Sequence, residues 1–216
     1  MEQYFTKKPT TEKEIYKFDW NIGKDRFYFY TSNSVFSKEG VDFGSMLLIQ
    51  TVVKENEKFG GSILDLGCGY GPIGVIIAKL LADATVTLSD VNERALELAA
   101  MNANENKVNE KVKIINSAVF DNIKENFDMI LTNPPIRAGK NVIFSFFEGA
   151  YDHLNEGGKL YVVIQKKQGA PSTKAKLENI FGNCEIAEKK SGYFIFRAVK
   201  WLLIYYLLLF LWIEAK

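Results

Sequence analysis

Apolar positions along the chain fall into two kinds of segment, and the two kinds alternate. Short apolar runs predict five strands, which lie at Ser62–Leu66, Thr85–Ser89, Val112–Ile115, Phe127–Leu131 and Lys159–Ile164. Between them, apolar residues recur at helical spacing and predict three helices, at Pro72–Leu81, Asn92–Asn106 and Val142–Leu154. Because strands buried on both faces are continuously apolar, this alternation predicts an α/β fold with a parallel sheet and helices on both faces.

Further elements flank these segments. Upstream, the pattern predicts a hairpin or strand at Arg26–Thr31 and a helix at Asp42–Asn56. Downstream, it predicts a helix and then two strands, at Pro171–Phe181, Cys184–Ala187 and Tyr193–Ala198. We therefore expect an N-terminal segment at 1–41, a main domain at 42–200 and an apolar tail at 201–216.

Composition narrows the class of protein. The 216 residues are 47% apolar and 25% charged, which is the balance of a single globular domain. The first residues lack the continuous apolar core of a secretory signal, so we expect a cytoplasmic protein. The two cysteines, Cys68 and Cys184, do not have the spacing of a zinc site or a disulfide framework, so we expect no bound metal. A net charge of +1 does not identify a partner, because a basic patch can exist within a neutral total.

The stretch ILDLGCGYGPIGV, residues 63–75, runs from a strand through three glycines into a helix. Such a turn can bind a dinucleotide phosphate, bind a different nucleoside, or simply pack a helix on a strand. Pro72 removes an amide donor from the helix start, and the glycine spacing is not Gly-x-Gly-x-x-Gly, so phosphate binding is disfavoured. Asp65, before the turn, suits an ammonium group, directly or through water. Asp90, about 20 residues after the glycines, suits ribose hydroxyls. Together they predict a nucleoside that carries an amino acid, as S-adenosylmethionine (SAM) does.

A second motif, FDMILTNPPIRAGK at residues 127–140, ends an apolar strand at an asparagine and two prolines. The amide oxygen of Asn133 can accept a hydrogen bond from an exocyclic NH2 group. Pro134 and Pro135 restrict the backbone, so that the Pro134 carbonyl can be presented as a second acceptor. The alternative is that Asn-Pro-Pro forms only a turn.

The motifs DLGCGYG, SDVNERAL and TNPPIRAGK occur in an order and at a spacing that resemble the class I SAM-dependent methyltransferases. Within that class, VFSKEGVDFGSMLLI upstream and GYFIFRA downstream resemble the small-domain group that includes 16S ribosomal RNA guanine-N2 methyltransferases. The resemblance implies a Rossmann-like fold with a mostly parallel seven-stranded sheet, SAM as cofactor, and Asn133, Pro134 and Pro135 as catalytic residues. The cofactor-binding residues it implies are Asp65, Gly67, Gly69, Gly71, Asp90, Val91 and Ala118.

The chain departs from this resemblance at two positions. Many amino-methylating relatives have an aromatic residue after the second proline to stack on the target base, and this chain has Ile136. Stacking must then come from Phe36 or Phe43, or apolar contact with Ile136 must suffice. Many relatives also place an acid near the cofactor adenine, where this chain has Ser117 and Ala118, whose backbone amides could still contact adenine.

These features predict an N-methyltransferase that acts on guanine N2 of small-subunit ribosomal RNA, with that RNA or the small ribosomal subunit as its partner. Arg137, Lys140, Lys166 and Lys167 are candidates to hold RNA phosphates, although exposed lysines also serve solubility. Adenine N6 or a protein glutamine amide could replace guanine as the acceptor. A different class of function is a SAM-binding RNA-assembly factor that does not turn over.

The tail WLLIYYLLLFLWI, Trp201–Ile213, is an unbroken apolar run. A helix of that length spans about 20 Å, which is short of the roughly 30 Å hydrocarbon core of a bilayer. The alternatives are a helix buried on the domain or in a homodimer interface, an interfacial membrane contact, or a terminus not native to this fold. The first and third are favoured over membrane contact.

Overall fold

The computed structural model describes residues 14–32 and 40–201. Within these ranges the strands are β1 (Ile15–Ile22), β2 (Asp25–Ser32), β3 (Ser62–Leu66), β4 (Thr85–Asp90), β5 (Val112–Asn116), β6 (Phe127–Thr132), β7 (Leu154–Gln165), β8 (Glu185–Lys190) and β9 (Tyr193–Val199). The α-helices are α1 (Phe43–Glu55), α2 (Pro72–Leu80), α3 (Glu93–Glu105), α4 (Lys140–His153) and α5 (Ala170–Phe181). Phe36 and residues 202–216 of the apolar tail lie outside the described residues, so the predictions made for them stay predictions.

Seven of these strands form one sheet, in the order β5-β4-β3-β6-β7-β9-β8. Strands β3 to β7 pair with one another in parallel, whereas β9 is antiparallel to both β7 and β8. The predicted class I methyltransferase fold, with a mostly parallel seven-stranded sheet, is therefore confirmed.

Alternate residues of the central strands supply two hydrophobic layers. On one face, Ile63 and Met129 pack with helices α1, α2 and α3. On the other face, Leu64 and Ile130 pack with α4 and α5. These side chains are fully buried, which explains why the strands read as continuous apolar runs. The predicted helices on both faces are confirmed.

The largest differences between the structure and the sequence prediction lie in two elements. Strand β1 pairs with β2 along its whole length, and the sequence pattern did not separate it as a strand. The sequence pattern predicted that a helix ends at Leu154, but strand β7 begins there. Leu154 pairs with Phe127, and an irregularity separates this pair from the Met129–Lys159 pair. An apolar residue at a helix–strand junction fits both patterns, so the boundary was not readable from period alone.

The β1–β2 hairpin is attached to α3 through two asparagine side chains. Asn106 accepts from the Tyr28 amide (3.0 Å) and donates to the Tyr28 carbonyl (2.7 Å). Asn102 does the same with Tyr30, at 2.6 and 2.9 Å. The two asparagines thus pair with the open edge of β2 as a neighbouring strand would.

None of the helices in the described ranges has the length and apolarity needed to cross a membrane.

Candidate active site

The candidate site lies where the chain reverses its direction of travel through the sheet. From β3 the chain proceeds outward to β4 and β5, whereas β6 lies on the opposite side of β3. The β3–β6 pairing extends to Asp65 and Leu131, after which the Thr132 hydroxyl donates to the Leu66 carbonyl (2.9 Å). Ligands of such sheets bind in the crevice at the carboxyl ends of the strands at this reversal.

The glycine turn forms one wall of this crevice. Gly67, Gly69 and Gly71 have φ values of +74°, +58° and +85°, a region that side chains disfavour. The Gly67 amide donates to the Ser89 carbonyl (2.8 Å), which joins the turn to the end of β4. A Cβ at Gly67 would meet the Phe146 ring at 3.2 Å, so the turn is also closely packed from the α4 side.

Asp65 lies beneath the turn and is fully buried. Its Oδ2 accepts from the Gly74 amide (2.8 Å), while its Oδ1 is buried and has no hydrogen-bond partner among the described residues. Burial raises the pKa of Asp65 to about 7, and the nearby Asp90 acts in the same direction, against the Gly74 hydrogen bond. A buried carboxylate with a free oxygen is costly unless a cationic group approaches it.

Asp90 ends β4 and connects the turn to the neighbouring loops. Its Oδ2 accepts from the Gly69 amide and its Oδ1 from the Asn92 amide, both at 2.9 Å. Burial raises its pKa, and these hydrogen bonds oppose that rise. The Val91 amide also hydrogen-bonds to this carboxylate. Because a carboxylate has about four acceptor positions, about one remains for a further donor.

Val91 and Ala118 lie beside Asp90 on the same edge. The Val91 carbonyl accepts from the Asn116 side chain (3.1 Å), and the Ser117 amide donates to the Asp90 carbonyl (3.0 Å). The structure thus brings together every residue predicted to bind the cofactor, at the carboxyl ends of β3, β4 and β5. Their roles in binding stay predictions.

Asn133 follows β6 directly and is partly buried, and Pro134 after it is buried. The Asn133 Nδ2 donates to Ser45 Oγ (3.0 Å) and lies 3.3 Å from Asp42 Oδ1 and 3.5 Å from Asp42 Oδ2. The Pro135 carbonyl accepts from the Ala138 amide (2.9 Å), which starts the short 3-10 turn Ile136–Ala138. The amide of Asn133 is therefore held on its NH2 side.

The residues predicted to bind substrate surround this loop. Ile136 is partly buried against the α4 side of the sheet, whereas Arg137 and Lys140 are exposed. Phe43, the first residue of α1, is 43% exposed, and its ring centroid lies 5.3 Å from that of Tyr193. An aromatic pair is thus present near Asn133, although no aromatic residue follows the second proline.

Three residues at the site were not found by sequence reasoning: Asp42, Ser45 and Thr132. The sequence pattern showed Asp42 only as the first residue of a predicted helix, and its contact with Asn133 joins positions that are 91 residues apart. Burial of Cys68, together with the nearby carboxylates, raises the pKa of that thiol well above its usual value. Cys68 thus lacks the low pKa of a reactive cysteine.

Within residues 14–32 and 40–201, no group of three or more His, Cys, Asp or Glu side chains could hold a metal ion.

Comparisons with known proteins agree with this fold. The family model described as "Methyltransferase small domain" matches residues 26–197. The uncharacterized protein YbxB of Bacillus subtilis (strain 168) is 45% identical over 201 residues, which cover 92% of this chain and 98% of YbxB. Ribosomal RNA small subunit methyltransferase C of Yersinia pestis (strain Pestoides F) is 34% identical over 172 residues, which cover 78% of this chain and 47% of that protein.

A solved structure of the T. thermophilus 16S rRNA N2 G1207 methyltransferase (RsmC), in complex with AdoMet and guanosine, superposes with a TM-score of 0.77 at 25% identity. The match covers 89% of this chain and 52% of RsmC. This chain therefore spans about half the length of the methyltransferase C relatives that it matches.

The fold and the switch-point site define a class I methyltransferase domain. The chain belongs to the methyltransferase small domain family, as the extent of the family match shows. The family predicted from the three sequence motifs is thereby confirmed.

Proposed function

We propose that this protein is a SAM-dependent N-methyltransferase that methylates an exocyclic amine, namely guanine N2 of 16S ribosomal RNA. The observation that carries the proposal is the position of Asn133-Pro134-Pro135 at the end of β6, across the switch point from the glycine turn that follows β3. An acceptor group for an amine and a candidate nucleoside site thus share one crevice.

The residues of the crevice fit SAM. The buried Oδ1 of Asp65, which has no partner among the described residues, offers an acceptor for the ammonium group. Asp90 retains acceptor capacity for ribose hydroxyls, and the glycine turn lets the backbone approach a ligand closely. When bound, SAM supplies a methyl group on a sulfonium sulfur. The AdoMet-bound relative of the same fold supports this choice of cofactor.

Asn133 and Pro134 are proposed to prepare the target nitrogen. An amine conjugated to a base is a weak nucleophile, because its lone pair is delocalised into the ring. Two acceptors, the Asn133 Oδ1 and the Pro134 carbonyl, would bind its two N–H groups and favour a pyramidal nitrogen. Positive charge grows on that nitrogen as it gains the methyl group, and fixed dipoles stabilise this charge without reorganising. The nitrogen then releases a proton to solvent, which leaves the methylated amine neutral.

Two features support ribosomal RNA as the substrate. The identity to methyltransferase C proteins extends over most of this chain. In addition, Lys166 and Lys167 are exposed beyond the end of β7, where they line a cavity with Gln165 and Gly192 on the edge of the sheet that carries Asn133. These cations, with Arg137 and Lys140, could hold phosphates while the target base enters the crevice.

The test is methyl transfer from radiolabelled SAM to separate acceptors: small ribosomal subunits that lack their native methylation, naked ribosomal RNA, transfer RNA and a release-factor protein. We expect label in a ribosomal sample, and we expect Asn133→Ala to lower the rate at least about 100-fold. Label only in transfer RNA or protein would keep the chemistry and contradict the substrate. No label in any acceptor despite SAM binding would favour the assembly-factor alternative.

A further inference from the structure

The side-chain amide of Asn133 contacts a carboxylate and a hydroxyl on the first turn of α1. Its Nδ2 donates to Ser45 Oγ (3.0 Å) and lies within 3.5 Å of both Asp42 oxygens. An ionised carboxylate only accepts hydrogen bonds, so the group that faces Asp42 must be the NH2 and not the oxygen. The Oδ1 of Asn133 is consequently the atom turned away from Asp42.

Asp42 is itself held in place by the helix. It is the N-cap of α1, and its Oδ1 accepts from the Ser45 amide (3.1 Å). Ser45 is 3% exposed, so its hydroxyl has little freedom to turn toward water. The side-chain amide of Asn133 is therefore hydrogen-bonded to two groups, and the start of α1 fixes the position of both.

This arrangement has two physical consequences. A flip of the amide would place its oxygen against the Asp42 carboxylate, and two acceptors in contact repel each other. Donation to a carboxylate also polarises the amide, which increases the negative charge on Oδ1 and strengthens it as an acceptor.

We propose that Asp42, assisted by Ser45, is a positioning residue that holds the Asn133 amide with its oxygen available to the target amine. This inference rests on the proposed function, because it assigns Asp42 a role in that reaction. Asp42 acts through Asn133 and is not itself a catalytic residue.

The experiment separates the positioning role from the helix cap. Asp42→Asn and Asp42→Ser both keep an effective N-cap acceptor, but they remove the carboxylate that excludes the flipped amide. Asp128→Asn is a matched control, because Asp128 also accepts from Ser62 and Asn155 but lies at the start of β6, away from the crevice. All variants are compared with Asn133→Ala for kcat, KM, SAM affinity and thermal stability.

We expect Asp42→Asn and Asp42→Ser to lower kcat about 10- to 100-fold with little change in SAM affinity. In the Asn133→Ala background, Asp42→Asn should have no further effect, since the group it positions is gone. Asp128→Asn should leave kcat near the wild-type value. A kcat loss that multiplies with that of Asn133→Ala, or a wild-type kcat for both Asp42 variants, would overturn the proposal.

A readout without turnover separates failure of this inference from failure of the proposed function. In protein labelled with 15N-asparagine, the side-chain NH2 resonances of Asn133 are those lost in Asn133→Ala. We expect Asp42→Asn to shift these resonances and speed their exchange with water, and Asp128→Asn to leave them unchanged. Unchanged resonances in Asp42→Asn would refute the positioning role even if methyl transfer is confirmed. Shifted resonances without methyl transfer to any acceptor would refute the proposed function and, with it, the catalytic purpose of the contact.

Discussion

Asp65 is a carboxyl group in an environment that disfavours its charge. It is fully buried, Asp90 is close by, and only one of its oxygens has a partner among the described residues. Most buried acids are fully hydrogen-bonded, so a free buried oxygen is a typical mark of a ligand site. We therefore expect a cationic group of the ligand to complete the site.

Cofactor binding should therefore depend on pH through Asp65. Its pKa of about 7 in the free protein means that the carboxyl is mostly protonated below that pH. Because the ammonium of SAM favours the ionised form, affinity should rise as pH increases from 5 to 7, below the pH at which an α-amino group itself loses its proton, and should fall about tenfold per unit well below pH 7. Titration calorimetry in buffers of different ionisation heat would detect the released proton. Asp65→Asn should bind more weakly and should lose most of the rise in affinity between pH 5 and 7.

The raised pKa of Asp65 also determines whether the stability of the free protein rises or falls with pH. The folded pKa of Asp65 lies above the usual 3.8, so the native state holds more protons than the unfolded state between about pH 4 and 7. The contribution of Asp65 to the stability of the free protein thus falls as pH rises through that window. Saturating SAM should offset this fall, and a constant Asp65 contribution across pH 4 to 7 would contradict the assigned pKa.

We expect the hydroxyl of Thr132 to stabilise the base of the crevice, because it joins the end of β6 to the end of β3. Thr132→Val keeps the shape but removes the hydroxyl that donates to the Leu66 carbonyl, which should cost about 1 kcal/mol of unfolding free energy. Thr51→Val is the matched control, since it removes a buried hydroxyl–carbonyl bond within α1, at 2.7 Å. Urea denaturation should give similar losses for both, whereas only Thr132→Val should weaken SAM binding. Equal SAM affinity in the two variants would contradict this role.

At the scale of elements, the hairpin depends on α3 rather than on the main sheet. Two asparagines, one helical turn apart, satisfy the edge of β2 at Tyr28 and Tyr30. Such an edge would otherwise present open amides and carbonyls to another chain.

Removal of these contacts should loosen the hairpin. Asn102→Ala and Asn106→Ala each remove both bonds to one β2 residue, and each should cost about 1 to 3 kcal/mol. Hydrogen exchange at the Tyr28 and Tyr30 amides should become faster in these variants. Asn104→Ala is the control, because Asn104 lies on the exposed side of the same helix. Unchanged exchange in both asparagine variants would mean that packing alone holds the hairpin.

At the scale of the whole molecule, the carboxyl edge of the sheet should bind RNA through its cations. Replacement of both Lys166 and Lys167 by alanine should raise KM for ribosomal RNA and lower the slope of log affinity against log salt by roughly 1.4 to 1.8. Filter binding over a range of salt concentrations measures this slope. The double replacement of Lys54, in the last turn of α1, and Lys58, between α1 and β3, removes two exposed lysines at the opposite edge and should leave the slope unchanged. An equal slope in the two double variants would contradict the assigned surface.

The overall architecture was predictable because each element carries its own local signal. Apolar runs marked β3, β4 and β6, and Pro72 marked the start of α2. The cofactor and amine-binding candidates were predictable because motifs at strand ends meet at one edge of a parallel sheet. The contacts of Asp42 and Ser45 with Asn133 were not predictable, because they depend on where α1 packs after the sheet has formed. The pairing of β2 with Asn102 and Asn106 was missed for the same reason, since asparagine on a helix gives no sign of its partner.

The most direct test of the account is the identity of the methylated nucleoside. Small ribosomal subunits that lack their native methylation would be incubated with the protein and SAM, and their RNA would be digested to nucleosides for mass spectrometry. We predict N2-methylguanosine with the wild-type protein and at least about 100-fold less with Asn133→Ala. A different methylated nucleoside, or equal product from Asn133→Ala, would contradict it.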